Sequence, residues 1–241
     1  MAVRSETLAY EADGLAMVSH FYVDDATAGP RPGILVFPEA FGLGEHAKSR
    51  AERLAGLGYA ALACDLHGQG RIVASLEEVM GLIGPMMQNP AGTRARAQGA
   101  LEALRARPEV DGTKVAAIGY CFGGTMALEL ARSGAAILAA VGFHSGLATA
   151  RPEDAKNIRG KVLVCIGADD PGVPPEQRAA FETEMRAGGV NWRMHLYGGV
   201  VHSFTNPEAE KLGRPEFARY DARADARSWA EMMALFGEAF G

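Results

Sequence analysis

Apolar and polar positions change period along this chain, and the changes mark out its elements. Residues 5–23 alternate as strands with one buried face do, and Asp13-Gly14 in their middle supplies a hairpin turn. After a Pro/Gly-rich turn at residues 29–32 comes an unbroken apolar run, 33–37, the pattern of a strand covered on both faces. Residues 46–57 carry apolar side chains at helical spacing and stop at Gly58. A second apolar strand spans 59–66. Two helical stretches follow: 72–88, rich in Met and Leu, and 93–107, with Thr93 as N-cap and Pro108 beyond its end. Then come a strand at 114–118, a helix at 124–131 and a strand at 138–143. A strand at 161–166, a helix at 175–187 closed by Gly188-Gly189, a strand at 192–197 and a helix at 220–240 complete the chain.

Strand–helix alternation of this kind predicts an α/β fold. Its sheet is mostly parallel and twisted, with right-handed crossovers that lay helices on both faces. No repeat, low-complexity tract or linker interrupts the pattern, so residues 1–241 read as one domain.

Candidate chemistry lies where the strand at 114–118 meets its helix, at Gly119-Tyr120-Cys121-Phe122-Gly123. A nucleophile between glycines at a strand-to-helix turn is the nucleophile elbow of the α/β-hydrolase fold, with a thiol here in place of the commoner hydroxyl. In that fold an acid and then a histidine follow the nucleophile, each after a later strand. The strand at 161–166 ends in Gly167-Ala168-Asp169-Asp170-Pro171-Gly172-Val173-Pro174. The strand at 192–197 ends in Gly198-Gly199-Val200-Val201-His202-Ser203-Phe204. His202, on a glycine-freed loop, is the expected base. Asp169 or Asp170 would orient it, and spacing alone leaves both open. Among the other histidines, His20 and His195 fall inside strands and His46 opens a helix. His144, at a strand end, is the main rival but follows the nucleophile too closely. The loop Phe37-Pro38-Glu39-Ala40-Phe41-Gly42-Leu43 follows the first core strand, and that loop supplies the second oxyanion N–H in this fold. Ala40 is then one donor and Phe122 the other, with Glu39 at the mouth. His67-Gly68-Gln69-Gly70 follows the wrong strand for an oxyanion loop and reads as a plain glycine turn.

Composition narrows the function classes. With 48% hydrophobic residues, the 241-residue chain can bury a large core. The net charge of −5 is spread without acidic or basic blocks, which argues against a nucleic-acid footprint or a membrane-surface patch. Every apolar run is too short to span a bilayer, and the N-terminal residues lack an apolar signal core. Three cysteines without a Cys-x-x-Cys pair argue against a disulfide framework or zinc site and fit a reducing cytoplasm. Cys64 and Cys165, inside apolar strands, read as core.

Taken together, five segments resemble the dienelactone hydrolase family, the thiol members of the α/β-hydrolase superfamily. They are Phe-Pro-Glu39-Ala-Phe-Gly, Cys-Asp65-Leu, Gly-Tyr-Cys121-Phe-Gly-Gly, Gly-Ala-Asp-Asp170-Pro-Gly-Val-Pro and Tyr-Gly-Gly-Val-Val-His202-Ser-Phe. The resemblance runs from about residue 33 to the last helix. It implies Asp170 as the acid, three residues before the Val-Pro pair, and His202 as the base. It also implies that Glu39 pairs with the resting thiol and takes its proton when substrate displaces it. Family enzymes that act on dienelactones hold the substrate carboxylate with arginines, one shortly after the histidine; Asn206 stands there instead, with Arg71 near the mouth. Tyr120, Phe204, Asn206 and Arg71 are the expected substrate contacts. The function expected is hydrolysis of a small-molecule ester or lactone through an acyl-cysteine, without metal or organic cofactor. A carboxylesterase or thioesterase of unrelated range is the alternative among enzymes. A non-catalytic ligand-binding protein on a hydrolase scaffold is the alternative outside them.

Overall fold

The computed structural model describes residues 3–26 and 28–241; Met1 and Ala2, part of the N-terminal stretch without an apolar signal core, and Thr27 lie outside the described residues. Strands β1 (Val3–Ala12) and β2 (Leu15–Asp24) form an antiparallel hairpin. Its turn residues Asp13 and Gly14 both have positive φ, 53° and 69°, which the Asp-Gly pair tolerates and which matches the twist of the strands. Strands β3 (Arg31–Phe37), β4 (Ala60–Ala63), β5 (Val110–Tyr120), β6 (Ala139–Phe143), β7 (Lys161–Gly167) and β8 (Trp192–Tyr197) run parallel to one another. The sheet has eight strands in the order β1-β2-β4-β3-β5-β6-β7-β8, with β2 antiparallel to β4.

Period-two alternation in the sheet sorts its side chains to two cores. Leu35, Leu62, Val115, Ala117, Val162 and Val164 meet helices α2 (Leu76–Gln88), α3 (Pro90–Arg105), α4 (Phe122–Arg132) and α5 (Pro175–Ala187) on one face. Their neighbours in sequence, among them Ile34, Ala61, Ala116, Ile118 and Leu163, meet α1 (Glu45–Ala55) and α6 (Ala222–Phe240) on the other. Each fully buried Leu, Ile, Val or Phe contributes about 1.5–3 kcal/mol to this three-layer arrangement.

Several boundaries differ from the sequence reading, for local reasons. Helix α3 starts at Pro90, because Asn89 accepts the Ala91 N–H at 3.2 Å and proline needs no N–H partner in the first turn. Thr93 is therefore not the cap. It is buried inside the helix, with its hydroxyl donating to Met86 O at 3.4 Å. Helix α2 starts at Leu76 because Ser75 caps it through the Glu78 N–H. Strand β4 stops at Ala63 instead of running to Leu66. The buried Asp65 carboxylate gathers the backbone N–H groups of Val18, His67, Gly68 and Gly70 and bends the chain into a loop. Helix α4 begins directly at Phe122, which leaves Cys121 alone in the turn.

Candidate active site

Strand β5 ends at Tyr120 and α4 begins at Phe122, so Cys121 makes the whole strand-to-helix turn. Its φ of 54° and ψ of −120° lie outside the regions that L residues favour, a strain of roughly 1–3 kcal/mol. Packing imposes it. A Cβ on Gly119 would lie 2.0 Å from Gly123 O, and one on Gly123 would lie 2.3 Å from Pro38 O. Only a side-chain-free backbone lets helix, β5 and the loop after β3 approach this closely. The Cys121 N–H is held by Phe143 O at 3.0 Å and His144 Nδ1 at 3.2 Å. Cys121 is partly exposed, whereas Cys64 and Cys165 are buried. Burial pushes the Cys165 thiol up to about 12 and the Cys64 thiol higher still, so both stay protonated core residues.

His202 stands between Cys121 and Asp170. Its Nδ1 pairs with Asp170 Oδ2 at 2.8 Å, and the Phe217 ring lies against it with 5.2 Å between centroids. Burial opposes the imidazolium. The Cys121 sulfur nearby and the Asp170 carboxylate outweigh that cost and push His202 up to about 10. Asp170 is 3% exposed, and its Oδ1 accepts the Gly172 N–H at 2.8 Å. Asp169 points to solvent. The structure thus brings Cys121, His202 and Asp170 together and leaves Asp169 out.

His144, the rival base, is fully buried. Its Nδ1 accepts the Cys121 amide, which leaves Nε2–H to donate to Thr205 Oγ1 at 2.8 Å. Burial first, then the neighbouring His202 and His46, hold it well below the usual histidine range. It braces the elbow as a neutral ring.

In the loop after β3, Gly42 N donates to Glu39 O at 3.0 Å and turns the chain. His67 Nε2 donates to Ala40 O at 2.8 Å, so the turn at 67–70 braces this loop rather than standing apart from it. Glu39 is not bonded to the thiol, contrary to what the resemblance implies. Its Oε1 takes His46 Nδ1 at 2.6 Å and Asn206 Nδ2 at 3.1 Å. Burial favours the neutral acid, but these donors hold the carboxyl below its usual range. Arg71 lies against the same loop through its backbone, its O only 2.4 Å from where a Cβ on Gly42 would stand, while its exposed guanidinium pairs with Glu78. Tyr120 and Phe204, expected against substrate, are corrected by the structure. Both are buried beneath the site, Tyr120 stacked on Phe143 and edge-on to His46, Phe204 against His144 and Tyr197. Sequence reasoning missed His46, Arg50, Thr205 and Phe217, none of which stands in a motif with the nucleophile. Among the described residues no group of His, Cys, Asp and Glu is spaced to hold a metal ion. None of the described helices is long and apolar enough to cross a membrane.

A strained cysteine at the N-terminus of a helix, a histidine after β8 and an acid after β7, on a mostly parallel sheet covered by helices, follow the plan of the α/β-hydrolase fold. The fold superimposes on an alpha/beta hydrolase enzyme from a Medee basin deep-sea metagenome library with a TM-score of 0.72, at 16% identity over 97% of this chain and 96% of that one. The dienelactone hydrolase family profile matches residues 19–240, and the chain belongs to that family. A dienelactone hydrolase-like promiscuous phosphotriesterase from metagenomic libraries is 48% identical over 100% of both chains, with a TM-score of 0.95. A protein of Methylorubrum extorquens provisionally named carboxymethylenebutenolidase is 26% identical over 219 residues, 82% of this chain and 75% of its own. The protein is a hydrolase resembling dienelactone hydrolase.

Proposed function

We propose that the protein, as a single α/β-hydrolase domain, is a carboxylic ester hydrolase acting on small esters or lactones through an acyl-cysteine. Cys121 gives its proton to His202 and its sulfur attacks the carbonyl carbon. The Ala40 and Phe122 N–H groups receive the oxyanion. The C–O bond then breaks, and His202 Nε2 returns the proton to the leaving oxygen. Water, deprotonated by His202, attacks the thioester; the carboxylic acid leaves and the thiol is restored. Asp170 keeps the Nδ1–H tautomer in place throughout. The scheme calls on no metal or organic cofactor.

The observation that carries this reading is His202, set between the strained Cys121 and the buried Asp170. Free Cys64, Cys121 and Cys165 support a reducing, cytoplasmic location. Short nitrophenyl esters test the proposal. Cys121→Ala should keep the fold by circular dichroism and lose at least about a thousandfold in kcat. Near-wild-type turnover in the folded variant would end it.

A second substrate class has its own support, because the 48% identical relative is named as a promiscuous phosphotriesterase. An uncharged phosphotriester would meet the same nucleophile, and the anionic Glu39 at the mouth favours it over a charged diester. Triester hydrolysis that disappears with Cys121→Ala supports this class. Its absence in wild type removes it.

A further inference from the structure

His202 and Asp170 both stand in loops at the end of the sheet, yet their side chains are only 10% and 0% exposed. His144 meets the His202 ring edge-on, 5.1 Å away between centroids. A second ring, Phe217, lies against it at 5.2 Å with an interplanar angle of 30°. Phe217 comes from the segment between the short 3-10 helix Ala209–Leu212 and α6, outside every motif of the site. Its place is fixed by backbone bonds. Gly213, with φ of 69°, turns the chain, and the Phe217 and Ala218 N–H groups both donate to Arg214 O at 2.9 Å. His202 N–H donates to Phe217 O at 3.0 Å and Arg219 N–H to His202 O at 3.1 Å, bracketing a bridge between His202 and Ala218. The ring also reaches the junction of histidine and acid. A Cβ on Gly172 would stand 3.1 Å from Asp170 Oδ1, 3.8 Å from His202 Nδ1 and 3.9 Å from Phe217 Cε2. Arg214 Cζ lies 5.4 Å from the centroid of the same half-buried ring.

We propose that Phe217 is a positioning residue: its ring is the apolar cover of the bond from His202 Nδ1–H to Asp170, keeping water off that bond and Nε2 turned to Cys121. The proposal rests on His202 being the base and adds what preserves its orientation. Water can accept from Nδ1–H and donate to the carboxylate, so an open bond between them competes with solvent and the ring is free to turn. Where water is excluded the same bond is stronger and the ring stays put. Phenylalanine suits the task because its ring offers neither donor nor acceptor and cannot take the bond from either partner. An aromatic centroid within about 6 Å also favours the imidazolium that forms when Cys121 gives up its proton.

The test is proton NMR of the protein with isotope-labelled histidines. It needs no turnover, so it is separate from the ester assay that decides whether Cys121 is the nucleophile. The Nδ1 proton is present in both the neutral and the charged ring, and its downfield signal is identified by its absence from His202→Asn. In wild type that signal should survive saturation of the water resonance. In Phe217→Ala, folded by circular dichroism, exchange of the proton with water should speed up at least about tenfold. Its kcat on a short nitrophenyl ester should fall about ten- to a hundredfold with KM little changed. Phe217→Leu, which keeps an apolar cover, should retain slow exchange and most of kcat. A wild-type signal erased by water saturation overturns the proposal without any variant. So does unchanged exchange in folded Phe217→Ala, and so does exchange in Phe217→Leu as fast as in Phe217→Ala.

Discussion

Replacing Asp170 by Asn probes the site with a single atom. In the wild type, Asp170 Oδ2 accepts His202 Nδ1–H at 2.8 Å while Oδ1 accepts the Gly172 N–H at 2.8 Å. An asparagine fits the same 3% exposed pocket and can keep the Gly172 bond through its own Oδ1. Its NH2 group then faces His202 Nδ1 and donates, which forces the proton onto Nε2, the nitrogen that must accept from Cys121. The fold is kept and the tautomer is inverted. Inverting the tautomer in comparable triads costs about 10⁴ in kcat, and at 1.36 kcal/mol per decade that is roughly 5.4 kcal/mol of transition-state stabilisation. Asp169→Asn, at an exposed neighbour, should stay within about ±0.5 kcal/mol, or twofold. The assay is kcat/KM on a short nitrophenyl ester for both variants, with thermal melting to certify folding. Equal losses, or a larger loss at Asp169, would refute the assignment of the acid and the role of the His202–Asp170 bond.

Gly123→Ala would place a methyl 2.3 Å from Pro38 O and 2.4 Å from Phe37 O, and should destabilise by about 3 kcal/mol or more; melting lowered by less than roughly 6 °C would show that the elbow is not so tightly fitted. His202 is raised from 6.5 to about 10 in the folded state, so its charged form stabilises the fold fully below pH 6.5, and that contribution is lost as pH climbs toward about 10. The melting temperature of the wild type should therefore fall more steeply over that window than that of His202→Asn, and parallel curves would contradict the raised value. Esters with an uncharged acyl group should exceed matched carboxylate-bearing esters by about tenfold or more in kcat/KM, because Asn206 offers no charge-assisted bond and Arg71 and Arg50 are already paired with Glu78 and Asp225. A preference for the anionic ester that weakens with salt would reveal an unassigned cation at the mouth.

What could be read from residues alone follows from how local each cause is. The elbow was legible because sterics confine glycine to Gly119 and Gly123, and the order nucleophile, acid, histidine follows from successive strands of one parallel sheet. The apolar runs of β3, β6 and β7 betrayed a sheet covered on both faces. Strand ends were less legible. Asp65 stops β4 early through four backbone bonds, one of them to Val18 of the distant hairpin, and no local pattern announces that. The hidden half of the site is tertiary in the same sense. His46 meets Glu39 only because α1 folds back against the loop before it, and Thr205 meets His144 across two strands. Tyr120 and Phe204 stand close to motif residues in sequence, yet Tyr120, at the end of β5, stacks on Phe143 in the core, and Phe204, in the loop after β8, packs on His144 and Tyr197; both contacts are tertiary.

The central claim is a covalent step at Cys121. Rapid chemical quenching of the enzyme with a slowly released nitrophenyl ester, followed by tryptic mass spectrometry, reads that step directly. The account predicts a mass increment equal to the acyl group on the peptide spanning 115–132, localised by fragmentation to Cys121 and absent in Cys121→Ala. Release of nitrophenol with no acylated peptide, or an acyl group carried by any other residue, would contradict it.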